Sequence, residues 1–209
     1  MSHVVLLGDS IFDNAFYVPG GAPVIEQVRR GLPPGWKATL IAVDGHTVEG
    51  VATQLPRVPA GATHLVVSAG GNDALLAAGL LREPAVTVGD ALALVAGALA
   101  KFRVAYAAML KGVLALGKPT AVCTVYDSVP GLGVAERAAL TGFNDVITRA
   151  AVGTGIPLID LRVLCADAGD YSPQSPIEPS EAGGAKIAAA ICRLVTGHDF
   201  APRRTAVWV

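Results

Sequence analysis

The stretch Val4-Val5-Leu6-Leu7-Gly8-Asp9-Ser10-Ile11-Phe12-Asp13-Asn14 decides how the chain is read. Four consecutive valines and leucines make a run that is apolar on both faces, which fits a strand covered from both sides, as in a parallel sheet. Gly8 frees the backbone to turn where the run stops, and this sets Ser10 just beyond the strand's carboxyl end. Ligands of open parallel α/β sheets bind in the crevice outside those ends. Ser10 is therefore a candidate nucleophile, with a cap for the following segment as the plainer reading.

The same pattern repeats outward from this stretch. Strand signals recur at Ala38 to Val43, His64 to Ser68, Thr120 to Tyr126 and Ile156 to Ile159. Helical periodicity fills the intervals, roughly Pro23 to Gly31, Thr47 to Leu55, Val88 to Leu116 and Val134 to Val152, with a last helix from about Ser180 to Thr196. Alternation of strand and helix predicts an α/β fold: a five-stranded parallel sheet with right-handed crossovers and helices on both faces. No repeat or low-complexity linker interrupts it, so residues 1–209 read as a single domain. The tail Phe200 to Val209 lacks periodicity and is expected to lie over the surface without regular structure.

Composition narrows the function. Of the 209 residues 52% are apolar and 16% charged, enough for one large core, and the formal net charge of −1 gives no basic footprint for nucleic acid. The cysteines Cys123, Cys165 and Cys192 are odd in number and widely spaced, which fits neither a disulfide framework nor a zinc site. Reduced thiols and a cytoplasmic location are the expectation, since no charged lead and apolar core of a signal peptide precede the first strand. The longest apolar stretch, Ala91 to Ala100, is about half of the ~20 residues a membrane-spanning helix needs, so no membrane partner is expected. Asp44, His46 and Glu49 have no recognised ligand spacing, and neither a metal nor a cofactor is expected. A flavin or nucleotide would need a phosphate-binding loop after the first strand, but Gly8-Asp9-Ser10 offers one glycine followed by an acid that repels phosphate.

Three further segments join the first: Val43-Asp44-Gly45-His46, Ser68-Ala69-Gly70-Gly71-Asn72-Asp73 and Ile177-Glu178-Pro179-Ser180-Glu181-Ala182-Gly183-Gly184. In this order and at these separations the four resemble the conserved blocks of the SGNH (GDSL) hydrolases, over essentially the whole chain. The resemblance implies a flavodoxin-like three-layer sandwich with strand order 2-1-3-4-5. It also implies a serine ester hydrolase acting on a small-molecule ester, with Ser10 as nucleophile and an oxyanion hole made by the Ser10 and Gly45 amides and the Asn72 side chain. A serine hydroxyl needs both a base and fixed donors for the oxyanion it generates, and the first three blocks supply everything except the base.

The fourth block departs from the family. Its Asp-x-x-His pattern, aligned through Pro179 and Gly183-Gly184, falls on Ser175-Pro176-Ile177-Glu178, and no histidine lies between His64 and His198. Two residues are candidates for the base. Glu178 stands at the histidine position; burial would raise its pKa toward usefulness, whereas the helix opening at Pro179-Ser180 would lower it. His46 follows the oxyanion glycine, and its ordinary pKa of about 6.5 suits general-base catalysis. The alternative to turnover is a catalytically silent relative that binds an acyl or carbohydrate ligand in the same pocket. Asp13 and Asn14 are read as ordering the loop after Ser10 through Asx-type hydrogen bonds. Oligomeric state is not legible.

Overall fold

The computed structural model describes residues 2–209 and builds one parallel sheet from β1 (His3–Gly8), β2 (Lys37–Leu40), β3 (His64–Ser68), β4 (Thr120–Cys123), β5 (Leu158–Ile159) and β6 (Val207–Trp208). Its order is β2-β1-β3-β4-β5-β6, with every pairing parallel. The first five strands follow the expected order. The sixth corrects the reading of the tail: Val207 and Trp208 pair with Leu158 and Ile159, and the Asp160 amide donates to the Trp208 carbonyl at 2.9 Å. A two-residue strand carries no periodicity of its own, and only the unsatisfied edge of β5 makes it a strand.

The apolar run of β1 divides its side chains between the faces of the sheet. Val4 and Leu6 join one core cluster with α1 (Val24–Gly31) and α7 (Glu181–Gly197). Val5 and Leu7 join the other, under α2 (Val48–Gln54), α4 (Val88–Leu114) and α5 (Val134–Thr154). All four are fully buried, as a strand covered on both sides requires. Two short helices complete the set, α3 (Gly71–Ala77) and α6 (Leu161–Leu164). Asn72 falls inside α3, which a 3-10 turn over Ala78–Arg82 follows.

Gly8 is the tightest point of the fold. It has φ +126°, and a Cβ placed there would lie 1.7 Å from the carbonyl oxygen of Ser68, its register partner on β3. The Asp9 amide donates to that same carbonyl at 3.1 Å, and the Gln54 side chain brackets Gly8, accepting from its amide at 2.9 Å and donating to its carbonyl at 2.7 Å. The backbone is thus bent and pinned immediately before Ser10. Gly8→Ala should cost more than about 3 kcal/mol, since strain and overlap add, whereas Gly35→Ala, which also has φ above zero but open space around it, should cost only about 1 kcal/mol. Chemical denaturation of the two variants checks this contrast.

Candidate active site

Ser10 lies in the bend after β1, almost buried at 6% exposure, and its hydroxyl donates to Glu178 Oε1 at 3.0 Å. The two residues are 168 positions apart in sequence. Several bonds bring the second to the first. Asn14, four residues after Ser10 and fully buried, donates from Nδ2 to the Pro179 carbonyl at 3.3 Å and accepts from the Val24 amide at 2.9 Å. The Ser172 amide donates to the Glu178 carbonyl at 2.8 Å, the Glu178 amide to Ser175 at 3.0 Å, and the Tyr126 hydroxyl to the Ile177 carbonyl at 2.6 Å. Asn14 therefore ties the Ser10 loop to the fourth block, a longer reach than the local turn expected of it. Asp13 does the same toward β2, accepting from the Asp44 amide at 3.1 Å.

Glu178 is 4% exposed, and its second oxygen, Oε2, meets no partner among the described residues. A carboxylate there loses its hydration, so burial pushes its pKa up from an ordinary 4.5 to about 7; the Ser10 hydroxyl pulls the other way and the negative charge of Asp44 adds to the rise. Burial is the largest influence on the group. The helix that follows takes Ser180 as its cap, with Oγ accepting from the Gly183 amide at 3.1 Å, so Glu178 sits two residues outside it. Asp9 is a second buried carboxyl on the same cavity, at 2% exposure. Desolvation, reinforced by Glu178 and Asp73, pushes it up to about 8 against the Ile11 amide, which favours its ionised form.

His46 is not brought to Ser10. Its Nδ1 lies 3.0 Å from Gln54 Nε2, which makes Nδ1 an acceptor and leaves the proton of the neutral ring on Nε2. The ring stacks into space that Gly50 leaves open: a Cβ at Gly50 would come within 2.8 Å of it. Its contribution runs through Gln54, which holds both His46 and the pinned Gly8.

Of the three expected oxyanion donors, Ser10 and Asn72 line one cavity; Gly45 does not, lying exposed on the adjoining loop with φ +79°. The Gly45 loop is nonetheless fastened to both. Asn72 Nδ2 donates one hydrogen to the His46 carbonyl at 2.9 Å, leaving its second N–H free, and the Val43 amide donates to the Gly8 carbonyl at 3.1 Å. Among the described residues the Ser10 and Gly45 amides meet no acceptor. Asn72 is not a helix cap: Gly70, with φ +122°, takes that place at the start of α3.

The cavity beside Ser10 has a volume of about 130 Å³. Its polar end is Asp9, Ser10, Ser68, Asn72 and Glu178. The remainder is apolar except for Glu136 of α5, and is walled by Leu75 of α3, Leu80 and Leu81 of the 3-10 turn, Val95 and Ala98 of α4, and Leu140 and Phe143 of α5. Sequence reasoning missed this wall because its residues come from three helices that carry no motif. The apolar character of 74–88 was its one visible sign. No group of three or more histidine, cysteine or acidic residues is placed to hold a metal ion among the described residues, and all three cysteines are free and buried.

The buried serine–carboxylate pair thus stands at the carboxyl edge of a parallel sheet, the place where such sheets bind ligands, with a free amide donor beside it. The family model of the GDSL-like lipase/acylhydrolase family matches residues 6–186, and the chain belongs to that family. Among solved structures it is similar to the lipase Lip_vut3 from a goat rumen metagenome (TM-score 0.71, 14% identity, 90% of this chain and 94% of that one). It is also similar to an extracellular lipase from Streptomyces rimosus (TM-score 0.67, 20% identity, 95% and 100% covered) and to a lipase/acylhydrolase from Enterococcus faecalis (TM-score 0.67, 19% identity, 94% and 96% covered). No curated protein matches the sequence.

The raised pKa of Glu178 has a consequence for stability. Native Glu178 keeps its proton to higher pH than the unfolded chain, so between about pH 4.5 and 7 the folded state binds more protons and stability falls as pH rises. Glu178→Gln, which cannot ionise, should therefore stabilise the protein at pH 8 by up to roughly 3 kcal/mol and leave it little changed at pH 4. Urea denaturation at the two pH values measures this; equal effects at both would mean that the native carboxyl titrates normally.

Proposed function

We propose that the protein is a serine ester hydrolase in which Glu178 takes the place of the usual histidine as proton acceptor. The observation that carries this reading is the 3.0 Å hydrogen bond from Ser10 Oγ to Glu178 Oε1 at the polar end of a cavity whose wall is largely apolar. As Ser10 Oγ attacks the ester carbonyl carbon, its proton passes to Glu178. The carbonyl oxygen becomes an oxyanion, received by the Ser10 amide and the free N–H of Asn72. Collapse expels the alcohol, which takes the proton from Glu178 and leaves an acyl-serine. A water molecule then gives its proton to Glu178 and attacks the acyl carbon; the acid leaves and Ser10 recovers its hydrogen.

A carboxylate with an ordinary pKa is too weak a base for this step. One raised to about 7 is half ionised near neutrality and basic enough to act. Asp9, buried on the same cavity, is held protonated to higher pH chiefly by its own burial, with the charge of Glu178 adding to the rise. The apolar wall between α3, α4 and α5 favours esters with an extended acyl chain, the carbonyl at Ser10 and the chain running toward Phe143. The silent ligand-binding alternative shares this cavity and differs from the hydrolase reading only in turnover.

Ser10→Ala should abolish ester hydrolysis and leave the protein folded, at a cost of about 1–3 kcal/mol at and above neutral pH because the buried Glu178 carboxyl loses its one side-chain hydrogen bond. Glu178→Gln should lower kcat by about 10²–10⁴-fold with KM little altered, because it keeps shape and removes proton transfer. His46→Ala should retain most of kcat, since its ring is engaged with Gln54. Steady-state kinetics on p-nitrophenyl esters decides: full activity in Glu178→Gln would sink the base assignment, and no turnover of any ester by the wild type would favour the silent binder.

The acyl pocket is tested separately. Ala98→Trp, which fills the α4 wall, should cut kcat/KM for octanoyl and longer esters by about tenfold or more while sparing acetyl esters. A uniform fall across chain lengths would place the acyl group elsewhere.

A further inference from the structure

The surface beside the cavity is as apolar as the cavity wall. Leu76 is 78% exposed, Val86 96%, Val88 77% and Leu92 63%. Between Glu83 and Lys101 the only charged side chain is Asp90, and it is tied to Thr87 in the capping box that opens α4. Single exposed apolar residues are ordinary, but a group of them on adjoining elements marks a contact surface. Helix α4 runs 27 residues and holds an 18-residue window of mean hydropathy 1.5, long and apolar enough to cross a membrane by length and composition, yet only 17% of that window is buried. The second half of α4 is fixed in the core through Phe102, Tyr106, Met109, Leu110 and Val113. The helix therefore cannot leave the domain to span a bilayer, and its first half stands as an apolar face on the domain's surface.

The patch and the cavity are one surface folded inward. Leu75, 48% exposed, lines the cavity, and its neighbour Leu76 faces outward; Val95 and Ala98 line it from α4, and Leu92 one turn earlier faces outward. A second copy of the chain seated here would stand over the cavity and obstruct substrate, whereas a lipid surface would bring acyl chains to its edge. Of the lysines and arginines, only Arg82 and Lys101 border the patch in sequence and none lies between them, so it lacks the basic cluster that draws proteins to anionic lipid. We propose that the Leu76, Val86, Val88 and Leu92 face docks on an electrically neutral lipid surface, from which ester substrates pass along α3 and α4 to Ser10. This differs from the expectation of no membrane partner, which rested on the length of Ala91 to Ala100 and did not consider a helix lying flat.

Docking is measured without turnover, so its failure is distinct from failure of the hydrolase reading. The full chain is floated with large unilamellar vesicles of phosphatidylcholine. Wild type and Ser10→Ala should float alike, and replacing part of the lipid with phosphatidylglycerol should not strengthen binding. The double variant Leu76→Glu with Leu92→Glu should lose on the order of tenfold or more in partitioning, while hydrolysing monomeric short-chain esters at the wild-type rate. As a second readout that leaves the patch apolar, Leu92→Trp should gain blue-shifted emission on addition of vesicles, relative to wild type with its two tryptophans. Wild type that stays unbound, a double variant that floats equally well, or Leu92→Trp emission indifferent to lipid would each overturn the proposal. So would a dimer, seen by sedimentation equilibrium, that the double variant dissociates, since the occupant would then be a second copy.

Discussion

The hydrogen bond from Ser10 to Glu178 joins two ends of the chain, and much of the fold serves to hold it. On one side, Gly8 bends β1 against Ser68 and Gln54 fixes both of its backbone groups, so Ser10 has little freedom. On the other, Glu178 is held by its own backbone bonds to Ser172 and Ser175, while Asn14 grips the next residue from the serine's own loop. A carboxylate is a poor replacement for imidazole in water because its pKa is about two units too low. Burial removes that deficit here, at a cost to stability above about pH 4.5 that the cores on both sheet faces must offset.

What could be read from the sequence was whatever local chemistry decides. The β1 run, the bend at Gly8 and the exposure of Ser10 to a crevice follow from residue type and spacing, and Pro179 with Gly183-Gly184 framed Glu178 although its partner is 168 positions away. The side-chain direction of His46 was not legible. Adjacency to Gly45 fixes where its backbone lies, but Gly50 and Gln54 on α2 decide where the ring goes. β6 escaped notice because two residues have no period, and α3 because Gly71, Gly79 and Pro84 interrupt the pattern around it.

The acyl wall was hidden for a related reason. Leu75, Val95 and Phe143 each look like ordinary helix residues, and only the meeting of α3, α4 and α5 above Ser10 makes them a cavity. The same helices carry an apolar surface outward, so the sheet edge, the cavity and the patch form one path from solvent to nucleophile. The polar side chains gather at the strand ends, and the helices that cover them supply the apolar lining.

The central claim is that Glu178 is a carboxyl raised into the neutral range and held on Ser10. Carbon-13 NMR titration of glutamate-labelled protein reads that carboxyl directly, its signal assigned by its loss in Glu178→Gln. A midpoint near pH 7, moving upward in Ser10→Ala as the hydroxyl that favours the ionised form is removed, is the result this account predicts. A midpoint near 4.5 that is unchanged by Ser10→Ala would contradict it.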